Sequence, residues 1–214
     1  MPIPKFIRSL SRGWLALLAI LPVIALLSGF LPLDFSRPTP LVGNAQRQAE
    51  LREHWQQGDL IVLVRHAERC DRSSSPCLGN MNGITVRGGQ SAHEIGQDFA
   101  ALGLANADIL SSDQVRAVQT AASMFGRAPT EQAWLYNCEG SMLQQALQHK
   151  VAHRNLILVT HSECIEDLEH SVSVQDPATP DYASTLFVLS ETDQAPRLLG
   201  YLDADQWPLS VSGR

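Results

Sequence analysis

Residues 44–214 carry two rhythms of apolar and polar positions. Leu60 to Val64 (LIVLV) and Leu156 to Val159 (LILV) are unbroken apolar runs rich in β-branched and aliphatic side chains. Such runs read as strands buried on both faces, as in a parallel sheet covered by helices. Asp108 to Leu110 adds a short strand, and Thr185 to Leu189 with Arg197 to Leu202 a late strand pair. Between these runs the period changes. Gly88 to Leu102 is apolar at Ala92, Ile95, Phe99 and Leu102, and Gln114 to Phe125 at Val115, Val118, Ala122 and Phe125. Spacings of three and four residues predict helices with one apolar face. The polar stretch Gln46 to Gln57, closed by Gly58, and the stretch Ser141 to His149 are two further helices. Strand and helix alternate, so the predicted fold is α/β, a three-layer sandwich with a mostly parallel central sheet flanked by helices.

The N-terminus follows neither rhythm. Gly13 to Leu33 holds 21 residues without a charge, preceded by Lys5, Arg8 and Arg12. That length suffices for a helix across a hydrocarbon core, and the basic flank predicts a cytoplasmic N-terminus with the body exported. An uncleaved signal anchor and a cleaved signal peptide are both open. No clear A-x-A site follows the run, and no Cys follows it as a lipoprotein signal requires. A buried soluble helix is the third reading, against which Pro22 and Pro32 stand; a membrane segment tolerates them. The predicted organisation is an anchor or signal peptide over 1–37, a linker over 38–43 and one folded domain over 44–214. The predicted location is the periplasm, with inner-membrane attachment if the segment is retained.

Charge narrows the partners. Residues 1–37 carry four bases against Asp34, and the other 12 bases face 21 acids, a net of −9. With no basic run in this body, a nucleic-acid binder tracking phosphates is excluded, and any anion must be held in a local basic pocket. Four cysteines in an exported chain suggest two disulfides. Cys70 and Cys77 flank six residues and could clip a local loop, which leaves Cys138 with Cys164. Unpaired buried thiols or a zinc site remain alternatives, although no C-x-x-C or close His pair is present.

Ligands of such sheets bind beyond the carboxyl ends of the strands. Three predicted strands end in reactive residues: Arg65-His66, Ser111-Ser112 and Thr160-His161. The ordered set is a strand with RHAER, then ITVRGG, then SSDQVRAVQTA opening a helix, then a strand with TH. This set resembles the histidine phosphatase (phosphoglycerate-mutase-like) superfamily. Arg65-His66-Ala67 stands where that family has Arg-His-Gly, and Ile84-Thr85-x-x-Gly88 resembles its Leu-Thr-x-x-Gly. Ser111 to Ala121 resembles its Ser-Ser-Pro-x-x-Arg-Ala-x-Gln-Thr-Ala, and Thr160-His161 its second histidine. More narrowly, RHAERCDR, the Cys seven residues on, GITV and the apolar N-terminus resemble the Ais family of lipopolysaccharide core heptose(II)-phosphate phosphatases of Gram-negative envelopes. The four cysteines have counterparts there, which the resemblance offers in support of the disulfides.

The residues suit phosphoryl transfer, which asks for positioning and charge stabilisation. Arg65 and Arg116 can each present a planar fork of donors to phosphate oxygens. His161 can add a donor. His66 can attack phosphorus through a neutral ring nitrogen, because flanking arginines lower its pKa from about 6.5. The first-turn amides around Asp113 to Val115 could help hold an anion. The resemblance implies these same roles for Arg65, His66, Arg116 and His161, and neither metal nor cofactor.

The acid that protonates the leaving group is less defined. Glu139, Glu163, Glu68 and Glu131 are candidates; the resemblance favours a Glu between the second Arg and second His, which Glu139 fits, with Glu163 next. Arg69, Arg72, Arg87 and Ser112 are candidate substrate binders, the arginines for further phosphates or acidic sugars. Trp55, Trp134 and Tyr136 could stack on sugar rings or pack the core. Ala67, Asp113 and Ser162 depart from the family pattern without removing a catalytic side chain. The expected activity is that of an envelope phosphomonoesterase using a phosphohistidine intermediate, which the resemblance directs to heptose phosphate of lipopolysaccharide core; a broad periplasmic phosphatase of small phosphate esters and a non-catalytic phosphoglycan-binding envelope protein are the alternatives.

Overall fold

The computed structural model describes residues 38–207. The predicted membrane or signal segment over 1–37 lies outside the described residues. In chain order the elements are α1 (Ala45–Gln57), β1 (Leu60–Arg65), α2 (Val86–Leu102), β2 (Ala107–Ser111), α3 (Val115–Phe125), β3 (Thr130–Glu131), α4 (Met142–His149), β4 (Asn155–Thr160), α5 (Ser162–Ser171), β5 (Thr185–Leu189) and β6 (Arg197–Leu202). Single 3-10 turns occupy Cys70–Arg72 and Ala133–Leu135.

The six strands form one sheet in the order β3-β2-β4-β1-β5-β6. The first four are mutually parallel, while β5 runs antiparallel to β1 and β6 antiparallel to β5. Strand alternation splits the core into two layers. Leu60, Val62 and Val64 of β1 pack with Leu51 and Trp55 of α1, Ile95 and Phe99 of α2, and Ala117 and Ala121 of α3. Ile61 and Leu63 point the other way, to Met142 and Ala146 of α4 and to Ile165 and Leu168 of α5. Both faces are covered, which explains the unbroken apolar runs.

Two glycines are fixed by space. Gly58 closes α1 at φ +76°, where a Cβ would lie 2.2 Å from the His153 carbonyl carbon. On α2, a Cβ at Gly96 would lie 1.9 Å from the Met124 carbonyl oxygen, so the two helices touch through backbone there. Residues 38–43, expected as a linker, pack against β6: Leu41 is fully buried and its amide donates to the Tyr201 carbonyl at 3.0 Å.

Candidate active site

Strand register brings the two histidines together. Parallel pairing aligns Arg65 of β1 with Thr160 of β4, and the His66 amide donates to the Thr160 carbonyl at 2.9 Å. His66 and His161 therefore leave adjacent strands side by side, their rings meeting edge-on with centroids 5.2 Å apart. On the other side of β4, Ser111 pairs with Val159, and Ser112 follows it to place its Oγ 2.9 Å from His161 Nε2. Arg116 arrives on the first turn of α3. Thus four separate elements converge at the carboxyl edge of the parallel strands, where such sheets hold ligands.

The motif residues around them act as struts. Thr120 Oγ1 accepts the Ala67 amide at 2.9 Å and donates to the Arg116 carbonyl at 2.7 Å. Gln119 accepts the Ile84 amide at 2.9 Å. Glu68 accepts from Ser73 at 3.2 Å, from Thr85 at 2.7 Å and from Arg87 Nε at 3.1 Å. That network holds the Glu68 carboxyl below its usual range, led by the Arg87 bond.

The His66 ring, the candidate nucleophile, is oriented by a single hydrogen bond. His66 Nδ1 lies 2.9 Å from the Ala67 carbonyl, which can only accept, so Nδ1 carries the proton and Nε2 the lone pair. The residue is 3% exposed. Burial pushes its pKa down to about 3, with help from His161, Arg116 and Arg65. Burial and then Arg116 push His161 down to about 4. Both rings are neutral at physiological pH, as nucleophilic attack requires.

Three buried side-chain nitrogens at this site have no hydrogen-bond partner among the described residues. Arg65 Nε, Arg116 Nε and His161 Nδ1 are buried and unbonded. When Ser112 donates to His161 Nε2, the His161 proton resides on Nδ1, aimed at no protein acceptor. Burial lowers the pKa of both guanidiniums, yet a guanidinium starts so far above neutrality that they remain positive. Arg65 is further held by the Pro180 carbonyl, which accepts from Nη1, and by the Tyr182 ring 4.2 Å from its Cζ.

The acid candidates fall in different places. A groove of about 730 Å³ runs from His161 past Tyr136 to Glu139, Glu163 and Glu166. Glu163 accepts from Ser162 Oγ at 3.1 Å, and its charge bears on Arg65, Arg116 and His161. Its pKa is lowered: although burial, the largest influence, opposes this, its own backbone amide, Ser162, His161 and Arg65 together outweigh it. Glu139 is exposed on the rim of the same groove. The two are tied, because Cys138 and Cys164, one beside each, form a disulfide; Cys70 and Cys77 form the other. Asp167 of α5 also accepts the Gly140 and Met142 amides at 2.6 and 3.0 Å. Glu131 is exposed at the end of edge strand β3.

The candidate binders also divide. Arg69 pairs with Asp71 and lies close enough for its charge to depress both Arg116 and His161. Arg87 is exposed and paired with Glu68, and Arg72 is exposed at the end of its turn. Asp113 is exposed and accepts from Gln114 at 3.1 Å, and its charge still bears on His161. Trp55 is core, its Nε1 donating to Gly103, and Trp134 stacks on His149. Tyr136 stands at the rim against His161 and Arg116. Tyr182, whose ring lies 5.7 Å from that of His66, was not singled out from sequence. Its signal was the antiparallel direction of β5, which brings the start of that strand to the active edge.

Among the described residues one group could hold a metal: His54, Asp59 and Glu191, with ligand atoms within 4.8 Å of one another. It lies at the opposite end of the sheet, before β1 and after β5.

The fold is that of the histidine phosphatases. A protein histidine phosphatase, SixA, in complex with tungstate matches with a TM-score of 0.55 at 13% identity, over 68% of this chain and 97% of its own. YhfR of Bacillus stearothermophilus matches with a TM-score of 0.53 at 15% identity, over 66% and 95%. No protein-family model matches the chain. In sequence, the lipopolysaccharide core heptose(II)-phosphate phosphatase of Escherichia coli O139:H28 (strain E24377A / ETEC) is 36% identical over 156 residues, 70% of this chain and 73% of the relative. The relative of the same description from strain K12 / DH10B matches equally. This chain belongs to that phosphatase family, and it is a phosphoric monoester hydrolase.

Proposed function

We propose that the protein removes phosphate from a heptose of lipopolysaccharide core through a phosphohistidine at His66. The observation that carries the phosphoryl chemistry is the trio of buried, unpartnered donors on Arg65, Arg116 and His161 around a neutral imidazole. Buried polar groups are normally paired, and an anion with several acceptor oxygens pairs all three. The 36% identity to the heptose(II)-phosphate phosphatases supports the sugar. The apolar N-terminal segment and the two disulfides support an oxidising envelope compartment.

His66 Nε2 attacks phosphorus as the ester P–O bond breaks. Arg65, Arg116 and His161 hold the equatorial oxygens, on which charge spreads in the transition state. A carboxylic acid protonates the departing sugar oxygen; we assign Glu163, whose charge reaches the cradle, ahead of Glu139 on the rim, with its carboxylate, held low in the empty site, taking up a proton as the negative phosphate binds beside it. Water then attacks phosphorus as the N–P bond breaks; the water gives a proton to that carboxylate, and the electron pair of the broken bond returns to Nε2, leaving His66 neutral and phosphate released.

The test uses the full-length chain with a generic aryl phosphate in EDTA, His66→Ala beside it, and core oligosaccharide analysed by mass before and after. Metal-independent release lost in His66→Ala supports the chemistry, and loss of one phosphate from the oligosaccharide supports the substrate. Release that persists in His66→Ala overturns the first, and an unchanged phosphate count overturns the second.

A further inference from the structure

Three side chains meet at the amino end of β1, far from the phosphate cradle. Gly58 turns the chain back at the end of α1, and the Asp59 amide donates to the His54 carbonyl at 3.1 Å. β1 pairs antiparallel with β5 at Leu60 and Leu189, and the Ser190 amide donates to the Asp59 carbonyl at 2.8 Å. Glu191 follows Ser190 and so leaves β5 beside this turn. One ligand atom from each of His54, Asp59 and Glu191 lies within 4.8 Å of the other two, and all three residues are half-buried.

His54 carries the signal. Its Nδ1 is shielded from solvent and has no hydrogen-bond partner among the described residues. Asp59 Oδ2, at 3.9 Å, is too distant to hydrogen-bond it. With the ring proton on Nε2, a shielded lone pair faces two carboxylates, and a cation satisfies all three. Lys150 feels the Asp59 charge, but its ammonium donates to the Gly58 and Val151 carbonyls at 2.8 and 3.0 Å. His54 also lies in the last turn of α1, where the helix dipole favours positive charge.

We propose that His54 Nδ1, Asp59 and Glu191 bind one zinc ion, with water completing its coordination. An imidazole with two carboxylates is a donor set that zinc accepts, whereas magnesium and calcium take oxygen ligands. Bonds of about 2.0–2.2 Å place ligand atoms about 3.3 Å apart, so the side chains close by up to about 1.5 Å on binding. Rotation of the two carboxylate arms supplies that movement. The ion fastens the end of α1 to β1 and β5. The length of β1 separates it from His66 by roughly 20 Å, so the site is structural and takes no part in phosphoryl transfer. The inference is independent of the phosphatase reading, because it concerns binding alone.

Thermal unfolding of the full-length chain, stripped with EDTA, returned to chelator-free buffer and titrated with zinc chloride, tests it. Magnesium chloride serves as a control, as does His93→Ala, which removes an exposed histidine of α2. The expected result is a saturable rise in Tm with zinc alone, its affinity weakened at least about tenfold in His54→Leu and in Asp59→Asn and unchanged in His93→Ala. No saturable rise, an equal rise with magnesium, unchanged affinity in either site variant, or a loss in His93→Ala overturns the proposal. Should the site variants fail to fold, zinc-edge X-ray absorption of the unaltered chain decides. One imidazole among oxygen neighbours supports the site, and two or more imidazoles, or none, overturn it.

Discussion

The Thr120 hydroxyl accepts the Ala67 amide at 2.9 Å while donating to the Arg116 carbonyl at 2.7 Å. One side chain thus fixes the residue after His66 to the helix that carries Arg116. Thr120→Val keeps the shape and removes both bonds. It should cost about 1–3 kcal/mol of stability, since the Ala67 amide is left buried and unpaired. Activity should fall roughly tenfold through misplacement of His66 against Arg116. Denaturant unfolding and steady-state kinetics check the two parts; an unchanged kcat would show that the strut does not position the site.

Acid assistance should depend on the leaving group. An alkyl phosphate needs a proton on its departing oxygen, and a nitrophenyl phosphate hardly does. Glu163→Gln should therefore lower kcat about 10²–10⁴-fold on a sugar phosphate and far less on nitrophenyl phosphate. Glu139→Gln should lose less on both. The reverse pattern would move the acid to the rim.

The imidazoles set a pH signature. His66 is pushed down to about 3 and His161 to about 4, so neither should titrate near 6.5 in the folded chain. In the unfolded chain both take protons near 6.5. Between that pH and about 4 the unfolded state binds more protons, so their contribution to stability is present above 6.5 and is lost on acidification. Glu169 works oppositely: raised to about 7, it holds a proton in the fold that the unfolded chain releases, and its contribution is lost as pH rises through that value. NMR titration of the imidazole ring protons checks the histidines; a folded His66 titrating near 6.5 would contradict the buried, cation-flanked site.

The Cys138–Cys164 disulfide closes a loop of 26 residues between the segments bearing Glu139 and Glu163. Replacing both cysteines by serine should cost about 3 kcal/mol of stability. It should also slow sugar-phosphate turnover more than aryl-phosphate turnover, because the acid loses its anchor. Equal losses on both esters would confine the bridge to stability.

Much of this arrangement was legible in the chain. The runs LIVLV and LILV are β1 and β4, and the reactive residues at their ends do meet, because parallel neighbours in register deliver consecutive residues to one edge. Both cysteine pairs form as spacing suggested. Helix α5 was missed. Its sequence SECIEDLEHS is dominated by polar residues, and only Cys164, Ile165 and Leu168 mark its buried side. The two-residue β3 was too short to leave a pattern. Tyr182 and the Pro180 carbonyl were invisible because their contacts to Arg65 span more than 100 residues and rest on the reversed direction of β5. Glu68 and Arg87 looked chemically available from sequence, but pair with each other across the Thr85 turn.

The central claim is that His66 carries the phosphoryl group. Rapid quenching of the full-length chain during turnover into alkali, where phosphohistidine survives, followed by peptide mass spectrometry, tests it directly. The account predicts one phosphoryl group on the peptide containing His66, and none in His66→Ala. Turnover with no phosphorylated His66, or with the phosphoryl group on another residue, would contradict it.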